Sequence, residues 1–213
     1  MPRFSRLLPA AFAAGAALLQ PHAAAAATSS EELWAEVAAK GDIGPDTDLK
    51  LEIEQRRRDG PNEWIVGAEV NHDVGGFKIG GGMEVHEIDG FTEVRPYQQV
   101  TFATGPLDFR TRLEERFYDD SDQLALRLRQ RARVQLPVGT ATKAFGSAEL
   151  LYQLQDRIED GPQRIDQWRF NAGLVHRVGD IELSGGYLFQ IRPRDGGATR
   201  YTHVAQVGAA YRF

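Results

Sequence analysis

Arginine at alternate positions is the pattern in this chain that could do chemistry. Arg127, Arg129, Arg131 and Arg133 recur at every second residue, and Arg110, Arg112 and Arg116 do the same around Glu114. Side chains two apart on an extended chain point to the same side. Each run therefore presents a column of guanidinium groups, and Arg95 and Arg169 fall on the same face of their own segments. Guanidinium is planar, permanently charged and forks onto carboxylates and phosphates. Two uses follow. The columns select or bind small anionic solutes, or they pair with carboxylates on neighbouring segments.

The same face assignment adds Lys50, Arg56, Lys78, Arg177 and Arg192. It opposes them with Glu52, Glu54, Glu69, Glu84, Glu93, Glu114, Glu149 and Glu182. Cations outnumber carboxylates on that face, although the whole chain has 25 basic against 30 acidic residues. An acidic protein with an inward positive surface is expected, and nothing in the balance recommends nucleic acid as a partner.

Other chemistry is sparse. His86 lies two residues from Glu84 on one face, the one His–carboxylate pair worth naming, and such a pair is more often a salt bridge than a catalytic base. His72, His176 and His203 fall near turns or strand ends. The chain has no cysteine, so a disulfide framework, thiolate metal sites and a cysteine nucleophile are excluded. No recognised nucleophile, zinc or calcium spacing occurs. No catalytic residue and no cofactor is assigned, and a lipid-modifying enzyme ranks last among the readings. Gly80-Gly81-Gly82 lies within an alternating segment, where glycine eases bending or close approach.

The elements that must hold these columns begin after a leader. Arg3 and Arg6, the apolar run from Leu7 to Leu19 and the small residues Ala23 to Ala27 form the three parts of a secretory signal, with cleavage expected after Ala27. Residues 1–27 are read as signal peptide and 28–213 as one domain. The apolar run is shorter than the ~20 residues a spanning helix needs.

Beyond Gly60 nearly everything alternates with period two. Turn signals such as Gly75-Gly76, Asp89-Gly90, Gly105-Pro106 and Gly179-Asp180 break the alternation. Eleven segments emerge, starting near Leu33, Thr47, Trp64, Phe77, Thr92, Leu107, Leu124, Ala144, Gln167, Ile181 and Tyr201. The first is also compatible with a helix over Ser30 to Ala39; a strand is the preferred reading. Leu124, Leu126, Leu128, Ala132, Val134, Leu136 and Val138 lie opposite the arginines of their segment. In the last segment Tyr201, Val207, Tyr211 and Phe213 share a face, with aromatics at both ends. These strands need one greasy and one ionic environment. A soluble sandwich also alternates, but the leader, the aromatic placement and Phe213 favour an antiparallel up-and-down transmembrane β-barrel. Bacterial single-chain barrels normally have an even strand number, so ten or twelve strands are expected, with one segment misread or missed.

The sequence also resembles a family. The resemblance rests on Leu33-Trp34, "LEIEQRRR" at Leu51 to Arg58, "RTRLEERF" at Arg110 to Phe117 and "LRLRQRARVQLP" at Leu126 to Pro137. It continues through "DQWRFNAGLVHRV" at Asp166 to Val178, "LSGGYLFQ" at Leu183 to Gln190 and "THVAQVGAAYRF" at Thr202 to Phe213. Together these are similar to the outer-membrane barrel family catalogued as domain of unknown function 2490. The resemblance implies a barrel and a bacterial outer-membrane address, with outer-membrane lipids around it, and no activity. Tyr211 and Phe213 further resemble the terminal signal read by the barrel assembly machinery. The expectation is a narrow channel with an arginine-lined interior favouring small anions. The alternative is a plugged barrel with a structural or ligand-binding role.

Overall fold

The computed structural model describes residues 28–194 and 197–213, so the leader expected at 1–27 lies outside the described residues. Eleven strands follow one another: β1 (Thr28–Gly44), β2 (Thr47–Arg58), β3 (Glu63–Val74), β4 (Phe77–Ile88), β5 (Phe91–Thr104), β6 (Leu107–Tyr118), β7 (Ser121–Pro137), β8 (Thr142–Gln155), β9 (Arg164–Val178), β10 (Ile181–Arg192) and β11 (Arg200–Arg212). Each pairs with its sequence neighbours, and β1 closes on β11 to complete a barrel. No helix occurs among the described residues, and the Ser30–Ala39 stretch is strand.

Two expectations are corrected. The described residues form eleven strands, not ten or twelve, and the barrel is not wholly antiparallel. An up-and-down meander with an odd number of strands ends running in the direction it began. Its first and last strands can then close only in parallel, and Thr28 to Lys40 run alongside Arg200 to Arg212 in that sense. The remaining neighbour pairs are antiparallel.

Turn chemistry sets the register. At the β4–β5 turn Asp89 and Gly90 both take positive φ, 32° and 85°. That is the conformation a two-residue hairpin demands, because its twist matches that of the flanking strands. At one rim, β1–β2, β3–β4, β5–β6 and β9–β10 join by comparably tight turns, and the chain ends there at Phe213. The other rim carries the longer connections between β8 and β9 and between β10 and β11.

The predicted faces separate as alternation requires. Outside lie Val37, Ile53, Val66, Ile79, Met83, Leu174 and Val207, each at least half exposed. Trp64, Phe117, Phe189 and Tyr201 stand toward the long-loop rim, and Phe77, Phe102, Phe109 and Tyr211 toward the short-turn rim. The buried side chains are mostly polar, including Glu84, Glu93, Arg95, Arg112, Glu114 and Arg127. The barrel is thus apolar outside and ionic inside.

Gly82 shows how backbone makes room for this interior. A Cβ there would collide with the Ala68 carbonyl oxygen and the Tyr97 hydroxyl. Tyr97 is 2% exposed and crosses β4 to donate from its hydroxyl to Glu69 at 2.9 Å. We expect Gly82→Ala to cost about 1–3 kcal/mol through this overpacking, measurable as a lower urea midpoint of the refolded barrel. An unchanged midpoint would mean that Tyr97 repacks freely.

Candidate functional site: the charged interior

The interior is built from rows of side chains that the register places opposite one another. Arg112 faces Arg129, and Glu114 faces Arg127 across β6 and β7. Two arginines side by side repel unless carboxylates intervene, and here they do. Arg112 donates to Gln99 at 3.0 Å, to Glu84 at 3.0 Å and to Glu69 at 2.8 Å. Its guanidinium also stacks 3.7 Å from the centre of the Tyr97 ring. Arg129 donates through two nitrogens to Glu149, at 3.1 and 2.9 Å, and through the third to Glu114 at 2.7 Å. Arg127 reaches the other Glu114 oxygen at 2.7 Å. Glu114 has no solvent exposure at all.

Towards the long-loop rim, Glu93 is the shared acceptor. Arg95 meets it at 3.0 and 2.8 Å and Arg116 at 2.6 and 3.1 Å, both as two-pronged pairs. Arg169 donates to Gln167 at 3.2 Å and lies 3.9 Å from Glu149. Buried charges persist only when paired and hydrogen-bonded, and most of these guanidiniums are.

His86 belongs to the same network. It is fully buried, with Nδ1 at 2.6 Å from Glu63 and Nε2 at 3.1 Å from Glu84. Both ring nitrogens are thus occupied by carboxylates. Among the described residues no group of three or more His, Asp or Glu is disposed to hold a metal ion.

The sequence reading missed several inward groups. Glu63 and Asp166 lie one position before segments taken to start at Trp64 and Gln167, and Asp108 lies just past the Gly105-Pro106 turn. Extending each alternation back towards its turn would have found Glu63 and Asp108. Asp166 sits beside a register shift between β8 and β9, where simple alternation fails. Trp34 was missed because its segment was ambiguous between helix and strand. It is 6% exposed, with Arg56 3.8 Å and Arg169 5.5 Å from its ring centre. Its indole nitrogen donates to Glu32 at 2.7 Å. The added carboxylates reduce the expected surplus of positive charge and make it local.

Space remains between these groups. A cavity of about 450 Å³ occupies the half nearer the short-turn rim, and one of about 290 Å³ lies nearer the other rim. Trp34, Arg56, Arg95 and Arg169 line both, and so form a waist between them. The larger cavity is electrically two-sided. Glu36, Glu52 and Glu54 stand on β1 and β2 with Lys50 among them, while Arg110, Arg131 and Arg133 stand on β6 and β7. Tyr211 and Phe213 are placed elsewhere, outside the barrel at the short-turn rim and each more than half exposed. The Phe213 backbone nitrogen donates to the Lys40 carbonyl at 3.2 Å, which extends the parallel seam by one bond.

No curated protein matches the chain. A family model described as protein of unknown function (DUF2490) matches residues 31–202, which spans every strand from β1 into the start of β11. On that match the chain belongs to the DUF2490 family, and the closed eleven-strand barrel with an ionic interior is the form the family takes here.

Proposed function

We propose that this protein is a bacterial outer-membrane channel that passes small solutes through its charged interior and favours anions. The observation that carries the reading is the pair of polar cavities meeting at the Trp34–Arg56–Arg95–Arg169 waist, inside a barrel whose outer face is apolar. A water-bearing polar interior within an apolar band is the design of a membrane barrel. The dimensions agree. From Tyr201 to Tyr211 the strand advances ten residues, which at about 3.3 Å per residue and a tilt of about 40° is about 25 Å along the axis. The short-turn rim then faces the periplasm, and the β8–β9 and β10–β11 connections face outward. Tyr211 and Phe213 stand on the lipid side, open to the assembly machinery. The signal peptide at 1–27 supplies export.

The test is conductance of the refolded protein in a planar bilayer under a salt gradient. Discrete current steps with a reversal potential favouring chloride are expected. The preference should shrink in Arg131→Glu, which inverts a charge on the cationic wall; full selectivity in that folded variant would count against the reading. A second reading is favoured by one observation. Glu114, His86, Glu93 and Gln167 are at most 2% exposed inside the barrel, as in a barrel whose interior is filled by its own polar side chains. A folded but silent protein would establish that reading instead.

A further inference from the structure

We propose that the β6–β8 wall of the larger cavity is a binding site for a small hydroxyl-bearing oxyanion, its carboxylate or phosphate group held by Arg110, Arg131 and Arg133. This deepens the channel reading and rests on it for how the ligand arrives. Arg110 and Arg131 face each other across β6 and β7, and Arg133 follows two residues on. Three guanidiniums so placed need anionic partners.

Their supply of carboxylate is short. Arg110 reaches Glu149 at 2.9 Å, but Glu149 already takes a two-pronged pair from Arg129. Arg131 has Asp108 at 2.8 Å. Arg133 has no carboxylate within ion-pair distance among the described residues; its guanidinium lies over the Phe145 ring at 4.6 Å from the centre. Among the described residues Arg110 Nε and Arg131 Nε are buried with no acceptor. Buried donors are rarely left unpaired, because each costs its desolvation.

Arg58, near the other rim, also has a buried Nε with no acceptor, but its guanidinium pairs with Glu63. One step along the ladder, the equally opposed Arg112 and Arg129 are satisfied by Glu69, Glu84, Gln99, Glu114 and Glu149. What the wall lacks is a group with two or more acceptor oxygens, which a carboxylate or phosphate provides. Asn171 lines the same cavity, and its amide can exchange hydrogen bonds with a hydroxyl on the ligand. Phe145 forms an apolar floor beside them, its ring settled against Gly173 and Gly186 where no side chain intervenes. The class is therefore that of hydroxy acids, sugar acids and sugar phosphates.

Isothermal titration of the refolded barrel in detergent tests the site, with D-gluconate, inorganic phosphate and acetate as probes. Saturable heat is expected with gluconate or phosphate, and whichever binds identifies the group recognised. Acetate, which lacks the hydroxyls, is expected to bind about tenfold more weakly than gluconate. Arg131→Gln and Arg133→Gln should each weaken binding by about tenfold or more, the loss of one charge-assisted bond. Arg133 has no ion-pair partner to strand, so its variant is expected to fold, as circular dichroism would report. Arg157→Gln removes the same charge from an exposed pair with Asp120 at the far rim and should bind as the parent does. No saturable heat with either gluconate or phosphate overturns the proposal, as does equal binding by the parent and the two wall variants. A barrel that binds but carries no current keeps the site and removes the channel. One that carries chloride-selective current without binding either probe keeps the channel and removes the site.

Discussion

Replacing Glu114 with alanine is expected to destabilise the barrel by about 3–5 kcal/mol, the usual cost of removing one partner from a buried ion pair. Glu114 is wholly enclosed and anchors two arginines at 2.7 Å each. Without it, among the described residues Arg127 keeps only Asp166 at 3.3 Å, and Arg129 keeps only Glu149. Their side chains are 7% and 11% exposed, so the stranded charge is poorly hydrated. Glu114→Gln should fall between, since it retains one acceptor oxygen without the charge. Urea unfolding followed by tryptophan fluorescence reads both. A loss of less than about 1 kcal/mol in Glu114→Ala would show that water reaches the middle of the barrel and screens the arginines. The same number therefore bears on whether the interior is filled or wet.

Trp34→Ala is the second large effect. The indole lies at the waist shared by both cavities, covered by Arg56 at 3.8 Å and approached by Arg169 at 5.5 Å. Removing it deletes the bulkiest side chain there and frees both guanidiniums from the ring. We expect single-channel conductance to rise at least about twofold, because the narrowest stretch of a pore dominates its resistance. A parent barrel that is silent should begin to conduct. Stability should fall by about 3–5 kcal/mol, since Trp34 also packs on Leu188 and Val204. Trp34→Phe keeps most of the bulk and should stay near the parent conductance. A folded Trp34→Ala barrel with unchanged current would place the constriction elsewhere.

Strand positions were legible because each strand separates two environments. Leu126, Leu128 and Val134 against Arg127, Arg129 and Arg133 can be satisfied only by a wall with different media on its two sides, and β7 is such a wall. Segments expected near Thr47, Phe77, Leu107 and Ile181 begin at those residues. Closure was not legible. Alternation says which way a side chain points and nothing about which edges meet. The expectation of ten or twelve strands came from the habit of barrels in general, whereas the residues themselves marked eleven. Alternation set the arginines at 110, 112, 116, 127, 129, 131 and 133 on one face of their strands. It did not name their partners, because pairing depends on register across strands. Asp108 and Glu63 sit beside turns, where a one-residue error in a strand's start hides an inward carboxylate.

The parallel seam has a consequence for bore. β2 and β11 run in opposite directions, so a ring of ten strands could in principle have closed between them by ordinary antiparallel pairing. β1 is a stave driven into that joint: it pairs with β2 on one edge and with β11 on the other. Barrel diameter grows with strand number, so this one strand widens the ring. It then gives back part of the gain by hanging Trp34 into the opening it creates. Width and constriction thus arrive in the same short piece of chain. Side chains on β1 therefore shape the waist between the two cavities, while the arginine ladder stands on the opposite wall.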